Sequence, residues 1–292
     1  MTFAPSLRIG NMLTAWVIVI CGSTAAIGVA QESENDLLRF LPEHGNSVYQ
    51  TGKLLRQWPE SGPRELWRSN VGWGKSAVVE ANGRAFTAAE TEDKHWGLCL
   101  DAETGKVLWK KLLLPQPALH FARGPSASPV IDGDRVYFIP YAIFEKDVWE
   151  MRCPIICFRT DGTELWRCDE GIWATEASTP VIEDDTLYVA ADNPQQAVLT
   201  ALDKMTGEVQ WTAYAKSEAK RELGAPSSLT YQVVGTVPQI VVATYGTREL
   251  LGVHAGTGEI MWRYPYPAGI KIGLVSTPVA YDSHLFVCGG EG

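Results

Sequence analysis

The sequence predicts an all-β fold, a β-propeller of four-stranded antiparallel blades, on three observations. A ten-residue pattern ending in tryptophan recurs along the chain, and a short Ser/Thr-Pro-Val start recurs at the same period. Between them lie turn residues followed by alternating apolar strands. No helical periodicity runs anywhere after residue 60.

The unit ends carry the clearest signal. Leu100-Asp101-Ala102-Glu103-Thr104-Gly105-Lys106-Val107-Leu108-Trp109 returns as Leu202-Asp203-Lys204-Met205-Thr206-Gly207-Glu208-Val209-Gln210-Trp211 and as Val253-His254-Ala255-Gly256-Thr257-Gly258-Glu259-Ile260-Met261-Trp262. A version one residue shorter runs from Phe158 through Asp161-Gly162 to Trp166. The starts are Ser128-Pro129-Val130, Thr179-Pro180-Val181 and Thr277-Pro278-Val279, with Ala225-Pro226-Ser227 as a degenerate copy. Pro129 to Pro180 is 51 residues, and Pro180 to Pro278 is 98, two steps of 49. Asn82-Gly83, Asp132-Gly133 and Asp184-Asp185 supply tight turns ahead of alternating strands. The Thr-Gly pairs supply a position that tolerates positive φ, which closes a second hairpin before the Trp strand.

A unit of about 50 residues with four short strands buries its faces only against neighbouring units, which describes a propeller blade. The units fall at about 76–109, 127–166, 178–211 and 225–262, with a partial unit at 276–292. That is about four and a half blades, so the reading predicts an open arc from a longer protein, with a ring closed at five blades as the alternative. Trp109, Trp166, Trp211 and Trp262 hold one equivalent position and are expected to plug the seam to the next blade. Trp67, in Arg64-Glu65-Leu66-Trp67, reads as the same outer strand detached from its blade, whereas Trp149 lies in an irregular insertion.

Composition excludes several classes. Hydrophobic residues make up 46% and charged residues 20%, which argues against disorder, coiled coil and collagen. The net charge is −9 with no basic run, so a nucleic-acid partner is not expected. Arg8 precedes an uncharged stretch from Ile9 to Ala30 that ends in small residues. Residues 1–30 therefore read as a signal peptide or a retained membrane anchor, residues 31–62 as a lead-in, and residues 63–292 as the repeats. The protein is expected to be exported, periplasmic or envelope-associated, with membrane contact only through the first segment if it stays uncleaved.

The cysteines read as small core residues. Cys99 and Cys157 stand where other units have Ala201 and Gly252, and Cys288 aligns with Ala190. An exported protein also permits a Cys153–Cys157 disulfide. The five histidines show no spacing with the cysteines that would hold zinc. No nucleophile elbow or phosphate loop is present, so hydrolase and NTPase readings have no support.

The Leu-Asp-Ala-x-Thr-Gly-x-x-x-Trp unit resembles the repeat of pyrroloquinoline-quinone-type (PQQ-like) β-propellers. That group includes quinoprotein alcohol dehydrogenases and BamB-like outer-membrane assembly lipoproteins. The segment Thr51–Pro63 is similar to the lead-in of exported bacterial members. The resemblance implies a channel on the propeller axis and, in the quinoprotein branch, a quinone held there with calcium, many members also having adjacent cysteines in a disulfide. No Cys-Cys pair occurs in this sequence. The loops leading into the innermost strands carry Trp73 and Lys75, Arg123, Trp173 and Glu176, and Lys271, all expected around one mouth of the channel. Lys75, Arg123, Trp173, Glu176 and Lys271 are thus candidates to hold an anionic, planar ligand. Two functions follow from the resemblance. One is an exported scaffold that binds protein or polymer partners, with no cofactor. The other is a partial chain of a PQQ- and calcium-dependent alcohol or sugar oxidoreductase.

Overall fold

The computed structural model describes residues 37–40, 57, 59–115, 124–145, 150–169, 178–191, 197–214, 227–244, 247–265, 276–281 and 284–288. All regular elements among them are β. The first blade is β1 (Val79–Ala81), β2 (Arg84–Thr91), β3 (Lys94–Asp101) and β4 (Val107–Leu114), hydrogen-bonded in that order. The second is β5 (Val130–Asp132), β6 (Arg135–Phe138), β9 (Ile155–Arg159) and β10 (Glu164–Cys168). The hairpin β7 (Ala142–Glu145) and β8 (Glu150–Arg152) is inserted into this blade. The third is β11 (Val181–Glu183), β12 (Thr186–Ala190), β13 (Ala197–Asp203) and β14 (Val209–Tyr214). The fourth is β15 (Thr230–Val234), β16 (Val237–Ala243), β17 (Glu249–His254) and β18 (Ile260–Pro265). A fifth sheet contains β19 (Val279–Tyr281) and β20 (His284–Phe286). The blades stand side by side as an open arc, with their first strands innermost.

Local chemistry shapes each blade. Asn82 and Gly83 have φ of 53° and 72°, the paired positive values of a two-residue hairpin turn. The Thr-Gly turn is built alike in three blades. Gly105, Gly207 and Gly258 each donate N–H to the carbonyl of the residue three before Thr, at 2.8–2.9 Å, with φ between 69° and 78°. Asp101 Oδ1 and Asp203 Oδ1 lock this turn by accepting from the N–H of Thr104 and Thr206, each at 2.8 Å. Where the fourth blade has His254, its Nδ1 accepts from Gly256 N–H at 3.1 Å instead.

A register shift then aims each tryptophan. It falls just before Trp166 and between the pairs Cys99/Leu100, Ala201/Leu202 and Gly252/Val253. Each shift leaves one extra residue next to Trp, which turns the indole out of its own sheet. Cys99, Cys157, Ala201 and Gly252 are the residues directly opposite the four indoles, which is why these slots stay small.

The seams have an outer and an inner latch. On the outside, Trp109 Nε1 donates to Thr160 O at 3.0 Å and Trp166 Nε1 to Lys204 O at 3.1 Å, both in the next blade. A Cβ on Gly207 or Gly258 would come within 2.6 Å of the preceding blade's indole, so glycine is required beneath the ring. Between the latches lie aromatic and aliphatic side chains, for example Trp109 with Phe86, Phe138 and Phe158 at 5.9–6.3 Å. On the inside, Ser128 Oγ accepts from Ala77 N–H at 2.9 Å, Ser228 Oγ from Thr179 N–H at 3.1 Å, and Thr277 Oγ1 from Ser228 N–H at 3.2 Å.

These inner bonds correct one register. The fourth blade begins at Ser228-Leu229-Thr230, 49 residues after Thr179, and not at the Pro-containing Ala225-Pro226-Ser227. The hydroxyl is the functional part of the start, and proline is dispensable. A second correction concerns Cys288. It is exposed, because no third strand covers β20 among the described residues, whereas Cys99 and Cys157 are fully buried. Cys153 and Cys157 form no disulfide.

Candidate functional site

The described part of the candidate site is the segment of residues 69–76, which lies along the first blade. Trp73 bridges to Glu90 near the end of β2 through both backbone groups, at 3.0 and 2.7 Å. Two residues on, the N–H groups of Lys75 and Ser76 both bond Pro125 O, at 2.9 and 3.1 Å. The segment therefore ties the start of blade one to the lead-in of blade two. It lies this close because Gly124 has φ of +76° and a Cβ there would run into the Trp73 carbonyl. Trp73, 61% exposed, and the exposed Lys75 sit two residues apart, which puts them on one side of an extended segment.

Beneath them is a buried glutamate–histidine pair. Glu90 and His95 are directly opposite each other on β2 and β3, each 3% exposed, with Glu90 Oε2 3.8 Å from His95 Nε2. The same carboxylate oxygen accepts from Gly124 N–H at 2.9 Å. The pair thus fixes the height of the mouth segment from inside. Beside it a cavity of about 170 Å³ opens between this segment and the blade face, lined by Trp67, Gly74, Ser76, Ala85, Thr87 and Ala89.

Of the residues expected at the mouth, Lys75 and Trp73 fall among the described residues, both exposed on the segment beside the first blade. Arg123, Trp173, Glu176 and Lys271 lie outside the described residues. Motif reading does not find Glu90 and His95, since no other unit repeats them. The signal present is two ionisable residues, each two positions from the Glu92-Asp93 turn, in strands that are buried over most of their length.

The repeat geometry agrees with comparison to known proteins. A family model described as outer membrane protein assembly factor BamB matches residues 50–146 and 148–292. The chain belongs to this family of PQQ-like β-propellers. Among solved structures, BamB from Moraxella catarrhalis is 20% identical, covering 73% of this chain and 55% of that one with a TM-score of 0.46. A europium-containing methanol dehydrogenase is 16% identical, covering 67% and 42%, TM-score 0.47. Quinohemoprotein alcohol dehydrogenase from Comamonas testosteroni is 13% identical, covering 75% and 46%, TM-score 0.46. The chain spans about half the length of these structures. No curated protein matches it.

Membership of a PQQ-like family raises the question of calcium and quinone. Calcium needs a cluster of oxygen ligands. Among the described residues no three His, Cys, Asp or Glu side chains come together to hold a metal ion. The repeat carboxylates Asp101 and Asp203 are engaged in their own turns. No catalytic step is assigned to the ion.

Proposed function

We propose that this chain is an exported propeller module that docks a protein partner on its outer rim. The observation that carries this reading is β4, an eight-residue outermost strand with no neighbour beyond it in its sheet among the described residues. It turns Val107, Leu108 and Leu112 to solvent, 41–46% exposed, beside Lys110 and Lys111. The outer strands β14 and β18 continue this apolar rim with Val209, Tyr214 and Tyr264. A long outer strand offers unpaired backbone groups to an incoming strand, and its exposed apolar side chains add pockets for specificity. The matched family, described as an outer membrane protein assembly factor, supports a protein partner in the cell envelope. The Arg8 and Ile9–Ala30 pattern supports export.

The test places a photocrosslinking amino acid at Leu112 or, as a control, at the exposed Val233 of the fourth blade, in living cells. A discrete envelope-protein adduct from position 112 alone, lost on Leu108→Asp, supports the reading. Equal labelling at both positions overturns it. In parallel, the purified chain is incubated with the quinone and calcium and desalted. No quinone absorbance is expected to remain, and stoichiometric retention would favour the oxidoreductase alternative.

A further inference from the structure

The segment Leu37–Phe40 crosses the inner ring and carries a charge into it. Leu37 pairs with Glu80 of β1, donating N–H to its carbonyl at 2.7 Å and accepting from its N–H at 2.8 Å. The carbonyl of Leu38 then accepts from Ile131 N–H of β5 at 2.8 Å. Consecutive residues are thus tied to the innermost strands of consecutive blades, along the backbone edges that those strands leave free. The Leu38 side chain packs on the apolar cluster that includes Val79, Ile131 and Val136. The next residue, Arg39, is carried toward the third blade, where Glu183 at the end of β11 is the acid whose field it feels.

Arg39 is 8% exposed, and its Nε and Nη2 are buried with no hydrogen-bond partner. Burial lowers its pKa to about 10 against the opposing field of Glu183, so the group remains a cation at neutral pH. A buried cation with unmade hydrogen bonds is strongly unfavourable, and such donors in native proteins are normally met by an ion, a water or a ligand. The two open donors are not arbitrary. Nε–H and the outward N–H of Nη2 lie parallel on one edge of the planar guanidinium, the edge that grips both oxygens of a carboxylate.

We propose that Arg39 is an oxyanion-binding residue of the inner ring, taking the carboxylate of a small ligand on its Nε–Nη2 edge. The site is independent of rim docking. It lies on the inner strands, on the other side of the blades from β4, and its ligand is a small anion rather than a protein. The segment supplies the charge and the inner strands hold the segment, so the blades themselves need no basic residue there.

The test is thermal unfolding of the full chain in sodium acetate or sodium sulfate, each exchanged for chloride at constant ionic strength. Acetate should raise Tm along a saturating curve, as mass action requires of a ligand bound only by the folded state. Arg39→Met should abolish that response while melting no lower than the parent in chloride, because it removes an unpaired buried charge. Arg39→Lys, which keeps the charge and loses the fork, should need roughly tenfold more acetate, the loss of about one of two charge-assisted bonds. A rise that is linear and persists in Arg39→Met is a general salt effect and overturns the proposal. So does an Arg39→Met variant that melts lower than the parent in chloride, which would make the guanidinium a structural partner. Saturation by sulfate with no response to acetate overturns the carboxylate assignment.

Discussion

The indole of Trp67 covers Gly105 and donates its Nε1–H to the carbonyl of Ala102 at 2.8 Å, although Trp67 belongs to no strand. Trp166 makes the same pair of contacts with Gly207 and Lys204 from inside a complete blade. Trp67 therefore fills the socket of the first blade as the outer strand of a preceding blade would. At the other end of the arc Trp262 bonds Gln239 Oε1 of its own blade at 2.7 Å, and among the described residues no Thr-Gly turn follows to receive it. The docking rule belongs to the glycine turn of the receiving blade, Thr-Gly in the first and third blades and Asp-Gly in the second, whether or not the indole comes from a complete blade.

Trp211→Ala should cost about 3–5 kcal/mol, the usual loss for a large aromatic removed from a packed seam. Its ring lies 5.9 Å from Tyr188 and covers Gly258. Trp149 of the irregular insertion lies outside the described residues, so the rim residue Trp73 provides the contrast. At 61% exposure its replacement by Ala should cost about 0.5 kcal/mol. Urea denaturation of both variants checks the difference, and equal losses would mean that the seams are misassigned.

Gly207→Ala should be far worse than Gly235→Ala. Both have positive φ, +78° and +64°, so both carry a left-handed backbone penalty of about 1 kcal/mol. Only at Gly207 does the new Cβ also meet an indole, at 2.6 Å from Trp166 Cε3, whereas nothing lies within 4 Å at Gly235. Denaturation midpoints should separate the two by at least about 1 kcal/mol.

Ser228→Ala should destabilise by about 1–3 kcal/mol, because it leaves the buried Thr179 N–H without its acceptor. Amide exchange is the sharper measurement. The Thr179 amide should lose protection, while amides of β13 keep theirs. Unchanged exchange at Thr179 would mean that the inner hydroxyl is not a latch.

Thiol chemistry should sort the cysteines by burial. Desolvation pushes the Cys99 and Cys157 thiols up to about 11. A raised thiol pKa leaves little thiolate near pH 8, and both side chains are shielded from reagent. With a disulfide reagent at pH 8, Cys288 should react within the mixing phase and Cys99 and Cys157 only after denaturant is added. Fast labelling of Cys99 in the native state would show that the first seam opens.

The blade seams are legible in the linear chain because a propeller makes the same demand at every period. An indole in the seam needs a glycine below it and a small residue opposite, so Trp109, Gly162 and Cys99 each fall at a repeated position. The hydroxyl starts are legible for the same reason, except at Ser228, where the nearby proline suggests a different register. At the candidate site the sequence shows that Lys75 and Trp73 lie just ahead of the first inner strand. Glu90, His95 and Arg39 cannot, because each makes a contact that no other unit repeats. Their partners are set by which strand faces which, and by which backbone edges stay free for a passing segment. The linear sequence determined the blade, its turns and its seam residues, since those interactions are local and periodic. Only the tertiary structure decided that Leu37 and Leu38 tie to β1 and β5 and bury Arg39 within the field of Glu183, since that depends on backbone edges brought together from two different blades.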